Sequence, residues 1–334
     1  VSENTSIEWA HATFNPWSGC AKVSPGCANC YAANLPPSMR RGAGWGEGRP
    51  RIIASDAYWA QPHAWNRKAA KEGKRMRVFC ASTADVFEAR DDLDVHRERL
   101  FNLIIETPWL DWQLLTKRPE HAVKWWLARE DDARANGAEA WWPPNAWIGT
   151  SVENQEQAEA RIPHLVQIPA EVRFLSCEPL LGPVSLLVAA FNGSDSFSAM
   201  YGIHWVIVGG ESGRGANIRP MHPRWVRDIR DDCKQAGVPF LFKQWGEFGH
   251  SGQVIMGEET GKLVFREFTS ERHWIGKSHW LDKGDACLDA AGARLLNGGD
   301  FHRAAYPVTI LSRIGKHNAG RLLDGVTHDG FPTP

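Results

Sequence analysis

The chain has 334 residues, a formal net charge of −1 and a hydrophobic fraction of 43%. That length fits one large α/β barrel or two ordinary domains, and the apolar fraction supplies a substantial core. The balanced charge excludes a global basic field that would demand nucleic acid, so any such contact must come from a local patch, and no apolar run reaches the roughly 18 residues of a membrane span.

In chain order, Ser6 to Trp9 is expected as a short first strand leading into the stretch Cys20 to Tyr31. Three of the seven cysteines fall there, spaced C-x6-C-x2-C, among Pro16, Gly19, Pro25 and Gly26, which makes the stretch a loop. Soft sulfur donors on one short loop suit an iron–sulfur cluster or zinc. A structural zinc site takes four protein ligands, so three thiols leave one position open, as a catalytic centre needs. His11 is the residue that would complete a Cys3His zinc site. A zinc-stabilised nucleic-acid- or partner-binding protein without redox chemistry is therefore the alternative reading. The odd, uneven cysteine count and the absence of a signal peptide at the N-terminus give a reducing cytoplasm as the expected compartment.

Tyr31 to Leu35 reads as a helical turn ended by Pro36-Pro37, and Arg40 to Arg51 as an irregular Gly- and Arg-rich loop. Trp59 to Lys74 reads as a helix carrying Arg67, Lys68, Lys71 and Lys74, followed by Arg75 and Arg77; this is a solvated face or a phosphate-binding patch. A repeat then begins. Short apolar strands at Arg77–Ser82, Trp112–Leu115, Trp147–Gly149, Val172–Ser176, Trp205–Val208 and Pro239–Phe242 alternate with helical periodicity at Val95–Glu106, Glu120–Ala128, Gln155–Ile162 (stopped by Pro163) and Arg224–Ala236 (stopped by Gly237). Continuous apolar strands alternating with helices predict a parallel sheet covered by helices. The count of six or seven βα units gives an α/β fold, a full or partial (β/α) TIM-type barrel over 1–245. An insertion of uncertain structure, with the mixed signals of a small β-rich piece over the barrel mouth, follows at 246–300, and an extension packing on the barrel at 301–334. Arg129 to Asn145 reads as a surface excursion and Ala189 to Met200 as a flexible loop. Each strand ends in polar residues, and in such barrels chemistry sits at the C-terminal strand ends, so the cysteine loop and these residues are expected on one rim. The chain holds 17 tryptophans; many belong to the core, and some at a site mouth would stack on a planar substrate.

The stretches Trp9 to Tyr31, Leu114-Leu115-Thr116-Lys117-Arg118-Pro119, Trp147 to Asn154, Phe174 to Pro183, Val208-Gly209-Gly210-Glu211-Ser212-Gly213, Phe242-Lys243-Gln244-Trp245-Gly246 and Gly320 to Gly325 resemble the motifs of a phage-associated three-cysteine family. That family is grouped with the radical S-adenosylmethionine (SAM) proteins and bears a distant likeness to spore photoproduct lyase. The first cysteine gap is six residues where radical SAM proteins usually have three, and Tyr31 follows the last cysteine instead of preceding it. The resemblance implies that Cys20, Cys27 and Cys30 bind a [4Fe–4S] cluster whose fourth iron SAM chelates. One electron from a flavodoxin- or ferredoxin-type reductant would then release a 5′-deoxyadenosyl radical that abstracts hydrogen.

It also implies roles at the rim. Gly209-Gly210-Glu211 looks like the GGE that holds the SAM amino group; contact with substrate, or a tight turn with a structural ion pair, are the other readings of Glu211. Ser82, Thr83 and Asp85 stand where the amino-acid part of SAM would lie, and Ser151 and Glu153 are candidates for its ribose. Ser82 and Ser151 also suit helix N-caps. Lys117, Arg118 and Lys243 would bind a substrate phosphate or the SAM carboxylate, or else pair with Glu178 or Glu211. Glu178 and Lys243 are catalytic candidates, and Gln244 and Trp245 substrate contacts. Cys177 is either a hydrogen-atom donor or a small core residue, while Cys80, Cys233 and Cys287 read as structural. The expected substrate is a nucleic acid base or nucleotide, in DNA or RNA, exposed or flipped into the barrel mouth for repair or modification.

Overall fold

The computed structural model describes residues 5, 7–40, 42–187, 189–191, 194–197, 200–213, 215, 217–256, 263–267, 286–295, 300 and 303–333. Seven strands make the main sheet: β1 (Ala12–Thr13), β2 (Met76–Cys80), β3 (Leu110–Thr116), β4 (Ala146–Ser151), β5 (Arg173–Cys177), β6 (Trp205–Gly209) and β7 (Phe240–Gln244). Their order across the sheet is their order in the chain, and all neighbours run parallel. β1 and β7 stand at the two edges and do not pair with each other. The sheet is therefore a curled, open partial β/α barrel rather than a closed one. The crossovers carry α1 (Gln61–Glu72), α2 (Asp94–Glu106), α3 (Pro119–Ala135), α4 (Gln155–Leu165) and α5 (Pro223–Ala236). Between β5 and β6 the chain makes an antiparallel pair, Ala189–Phe191 with Ser194–Phe197, in place of a helix.

Side chains alternate between two buried faces, as the period of a strand demands. Val78, Trp112, Leu114, Ile148, Leu175, Val206, Val208 and Phe242 pack under the helices. Phe79, Trp147, Phe174, Trp205, Ile207 and Leu241 fill the concave side with Trp9. Trp9 meets Phe79 edge-on at 4.6 Å and Trp205 at 6.1 Å, bridging strands from both halves of the sheet. The free edge of β7 is covered by the tail: Phe242 N–H donates to His328 O and Gly330 N–H to Phe240 O, both at 3.0 Å. This removes an unpaired edge.

A second sheet is antiparallel. It comprises β8 (Phe248–Met256), β9 (Leu263–Glu267), β10 (Ala286–Leu288) and β11 (Val308–Arg313), in the order β9-β8-β11-β10. Since β11 lies past residue 300, the sheet draws on both sides of the boundary expected there. It meets α5 through Trp225, whose indole N–H donates to Ala290 O at 2.9 Å, and through His222 against Pro307 O at 3.2 Å.

Four local expectations are corrected. The first strand is Ala12–Thr13 instead of Ser6–Trp9; Ser6 is outside the described residues, and Trp9 is needed as the plug of the concave face. Helix α4 runs through Pro163 to Leu165. Proline only deletes one bond near the helix end, and the carbonyl this leaves belongs to exposed Glu159. Helix α3 continues to Ala135, and Trp142 is buried against Phe101 and Trp126, so 129–145 is only partly a surface excursion. The 189–200 loop contains the strand pair above; Asn192, Gly193 and Ser198 lie outside the described residues, as do 257–262, 268–285 and 296–299 of the 246–300 stretch.

Candidate functional site

The C-terminal ends of the strands open into one cavity of about 950 Å³, within the range of roughly 300–1,000 Å³ in which ligand sites fall. Cys20, Cys27 and Cys30 line it, as do Ser82, Thr83 and Asp85 after β2, Lys117 and Arg118 after β3, Ser151 of β4, Ser176 and Glu178 at the end of β5, Gly210 and Glu211 after β6, and Lys243 and Gln244 of β7. Its floor includes Trp9, Phe79 and Leu115. Strand alternation selects these residues. Ser176 and Glu178 face the cavity while Cys177 between them packs under the helices.

The loop that carries the thiols is tied down at three places, each by a carboxylate from a segment that follows β2, β4 or β6. At the first, Ala21 N–H donates to Glu88 Oε1 at 3.1 Å and Arg118 Nη2 donates to Ala21 O at 2.9 Å. Arg118 is itself paired with Asp85 at 2.8 Å, and Glu88 with Arg51 at 2.5 Å; all four side chains are at most 7% exposed. At the second, Ser24 Oγ donates to Glu153 Oε1 at 2.7 Å, and Gly26 packs so close to Glu153 that a Cβ there would overlap its carboxylate. Glu153 is fully buried and held by Arg161 at 2.8 Å, with Lys117 at 3.5 Å. At the third, Asn29 Nδ2 donates to Glu211 Oε2 at 2.9 Å. Arg219 forks onto both oxygens of Glu211 and donates from Nη1 to Pro25 O at 3.0 Å.

Several roles expected from the sequence are revised by these contacts. Cys177 is fully buried, and burial pushes its thiol well above the usual range; it does not line the cavity, which leaves it the core role. Trp245 does not line the cavity either: it is 7% exposed, packs on Phe242, and its indole N–H donates to Leu322 O at 2.9 Å. Gln244 lines the cavity, yet Nε2 donates to Gly210 O at 2.8 Å and Oε1 accepts from Gly246 N–H, so it holds the turn rather than presenting a free amide. Arg118 has its fork engaged by Asp85 and Ala21 O, not offered to a substrate. Glu153 lies behind the loop instead of in the cavity, and Glu211 is in the ion pair with Arg219. The glycines before Glu211 serve protein packing: a Cβ on Gly209 would meet Glu178, and one on Gly210 the backbone of Trp245. Neither Ser82 nor Ser151 caps a helix. Ser82 Oγ is bonded to Asn15, and the cap of α4 is Asn154, which accepts from Gln157 N–H at 3.0 Å. Thr83 exchanges a hydrogen bond with Ser18 at 3.1 Å. His11 accepts from Arg77 N–H at 2.8 Å at the exposed opposite end of the strands and does not line the cavity. Arg67, Lys68 and Lys71 of α1, and Lys74 just beyond it, do not line it either.

Lys243 and Glu178 do meet inside the cavity, at 2.9 Å, with Ser176 Oγ donating to the second carboxylate oxygen at 3.1 Å. Burial alone would lower the lysine, but the carboxylate beside it prevails and Lys243 is raised, so it stays charged. Tyr31 leans over the same pocket, its hydroxyl donating to Ser82 O at 2.8 Å and its ring half exposed.

The donor type suits an iron–sulfur group, three thiols from one loop bordering one cavity, but the side chains are not drawn together around one point: among the described residues no three His, Cys, Asp or Glu side chains converge as a metal-holding group. Cys20 Sγ–H donates to Ala21 O at 3.3 Å and receives Arg118 Nη1 at 3.8 Å. Burial, with Asp85 adding to it, pushes this thiol up to about 12.

Reading the sequence missed Arg51, Glu88, Arg161, Arg219, Ser24 and Asn29. Glu88 follows Asp85 by three residues inside an apolar stretch, and Arg161 sits among Ala158, Ile162 and Leu165 on the buried side of α4; a charge on an apolar face was the signal for both. Nothing in the sequence pairs Arg219 with Glu211.

Fold and site together define an α/β protein with a thiol-bordered cavity at the C-terminal rim of an open parallel barrel. The chain belongs to the family described as a protein of unknown function (DUF5131), whose model matches residues 4–332. No curated protein and no solved structure matches the chain.

Proposed function

We propose that this protein is a radical SAM enzyme, with Cys20, Cys27 and Cys30 holding a [4Fe–4S] cluster. The observation that carries the reading is that all three thiols of one loop border the same strand-end cavity as the Lys243–Glu178 pair. When bound, a cluster and SAM supply a 5′-deoxyadenosyl radical. The chain's own residues bind and shield. Lys243 is a charged donor for a carboxylate or phosphate, and Glu178, oriented by Ser176, is an acceptor for an amine or hydroxyl. Trp9, Phe79 and Leu115 make the floor apolar and keep water from beneath the site. The exposed Tyr31 ring and the cations Lys117, Lys243 and Lys316 on the cavity wall support a planar, anionic substrate such as a nucleic acid base or nucleotide, with a small flavodoxin or ferredoxin as electron donor.

The test is anaerobic purification with iron, sulfide and zinc analysis, then dithionite and SAM. About four irons per chain and release of 5′-deoxyadenosine are expected. One zinc per chain with intact SAM would overturn the reading in favour of a zinc-stabilised binding protein. Binding of single-stranded DNA or RNA should weaken steeply with salt; salt-independent binding would remove nucleic acid from the substrate class.

A further inference from the structure

The Gly-Gly-Glu stretch after β6 carries a buried carboxylate whose partners are all protein. Glu211 is 6% exposed. Its Oε2 accepts from Asn29 Nδ2 at 2.9 Å, from Arg219 N–H at 2.8 Å and from Arg219 Nε at 3.0 Å, and its Oε1 accepts from Arg219 Nη2. The remaining nitrogen of that guanidinium, Nη1, donates to Pro25 O at 3.0 Å. Asn29 is tied a second time, to Asn217 O at 2.8 Å. Pro25 and Asn29 stand on either side of Cys27, and Cys30 follows directly. The short turn Pro25–Cys27 is thus gripped from the β6 side by Glu211 and Arg219 and from the β4 side by Glu153 through Ser24.

From this geometry we infer that Glu211 and Arg219 form a positioning pair for the cysteine loop, fixing the backbone that presents Cys27 and Cys30 rather than contacting a ligand. The lone pairs of Glu211 are engaged and its guanidinium partner is planar and bidentate, so the pair acts as a rigid strut. The first thiol is served by a separate anchor, since Ala21 is held by Glu88 and Arg118. The loop therefore has two independent halves. Loss of the strut loosens Cys27 and Cys30 and leaves Cys20 in place. The inference rests on the cluster reading for its purpose, but its geometry is a property of the chain without the cluster.

The test labels the full-length protein with iodoacetamide under anaerobic, metal-free conditions and reads each cysteine by mass spectrometry. Arg219→Ala is expected to raise the alkylation rate of Cys27 and Cys30 by about tenfold, the scale of a lost charge-assisted hydrogen bond, with Cys20 unchanged and buried Cys80 and Cys177 still unlabelled. Arg219→Lys, which keeps the charge and loses the fork, should fall between. Glu211→Gln should behave as Arg219→Ala does. Unchanged rates at Cys27 and Cys30 would overturn the inference. So would a rise at all five cysteines together, which would mean global destabilisation. After incubation with iron and sulfide, the visible absorption of Arg219→Ala should fall while the wild-type chain loads fully. A wild-type chain that takes up no iron would defeat the cluster reading, and the labelling pattern would still decide the strut.

Discussion

The two sheets are built on opposite plans. In the parallel sheet every strand is buried on both faces and pairs with its neighbour in sequence, so each strand reads as an apolar run between helices. In the antiparallel sheet β11 lies between β8 and β10, pairing with residues of β8 that stand more than fifty positions away in the chain, and a small core of Cys287, Leu295, Val308 and Ile310 backs it. The parallel sheet carries the cavity at its strand ends; the antiparallel one braces α5. The difference teaches where this chain keeps charge. Buried ion pairs crowd the parallel rim, whereas the seam between α5 and the second sheet uses a neutral histidine and an indole.

The sharpest way to break that contrast is at the thiols. Cys27→Ala or Cys30→Ala should reduce iron content to background while shifting the melting temperature by less than about 3 °C. Cys177→Ser should do the reverse, leaving iron content intact and lowering stability by about 1–3 kcal/mol through a buried hydroxyl; metal analysis and thermal melts of the same samples separate the two.

Next in size is the rim network. Arg51→Ala leaves Glu88 without its closest cation and should cost about 3 kcal/mol in chemical denaturation, with Ala21 and Cys20 loosened. The seam is tested by pH. His222 is buried, and burial lowers it to about 4 from an ordinary 6.5. Its Nδ1 accepts from Arg224 N–H at 3.0 Å, and Nε2 faces Pro307 O, so the neutral form is the one that fits. Because the folded value is depressed, its contribution is present above pH 6.5 and lost as pH falls towards 4. The effect is on the order of 3 kcal/mol at most, and His222→Asn should flatten that acid limb in a stability–pH profile.

On the alkaline side, burial raises Cys233 and Cys287, both away from the thiol loop, to about 12 from 9.0. The stability they contribute is intact below pH 9 and lost as pH rises towards 12, which circular dichroism followed through that window should show. The smallest effect is expected from Trp245→Phe, which loses one hydrogen bond, to Leu322 O, worth about 1 kcal/mol; a change in SAM or iron binding there would contradict its place outside the cavity.

Much of this plan is legible in the sequence. The strand–helix alternation and the polar strand ends locate six of the seven parallel strands and the rim, because burial on both faces leaves a run of Val, Ile, Leu, Phe and Trp that few other elements produce. β1 was missed because two residues give no period to read. The β-rich character of 246–300 is readable, but the pairings of the second sheet are not, because they depend on long loops and non-local register. At the site, the thiols and the Lys243–Glu178 pair were readable as residue types. Which carboxylates face the cavity and which hold the loop was not, since Glu153, Glu178 and Glu211 look alike in sequence and differ only in which arginine or lysine the fold brings to each.

The stack of indoles under the cavity has an optical consequence. Trp9 borders the site and touches Trp205, which in turn meets Trp147 edge-on at 6.4 Å. Emission from this cluster is poised to respond to whatever settles above it, and a coloured iron–sulfur group would quench it by energy transfer. Comparing the parent chain with Trp9→Phe would isolate that signal from the other tryptophans, giving the protein a built-in, label-free gauge of occupancy.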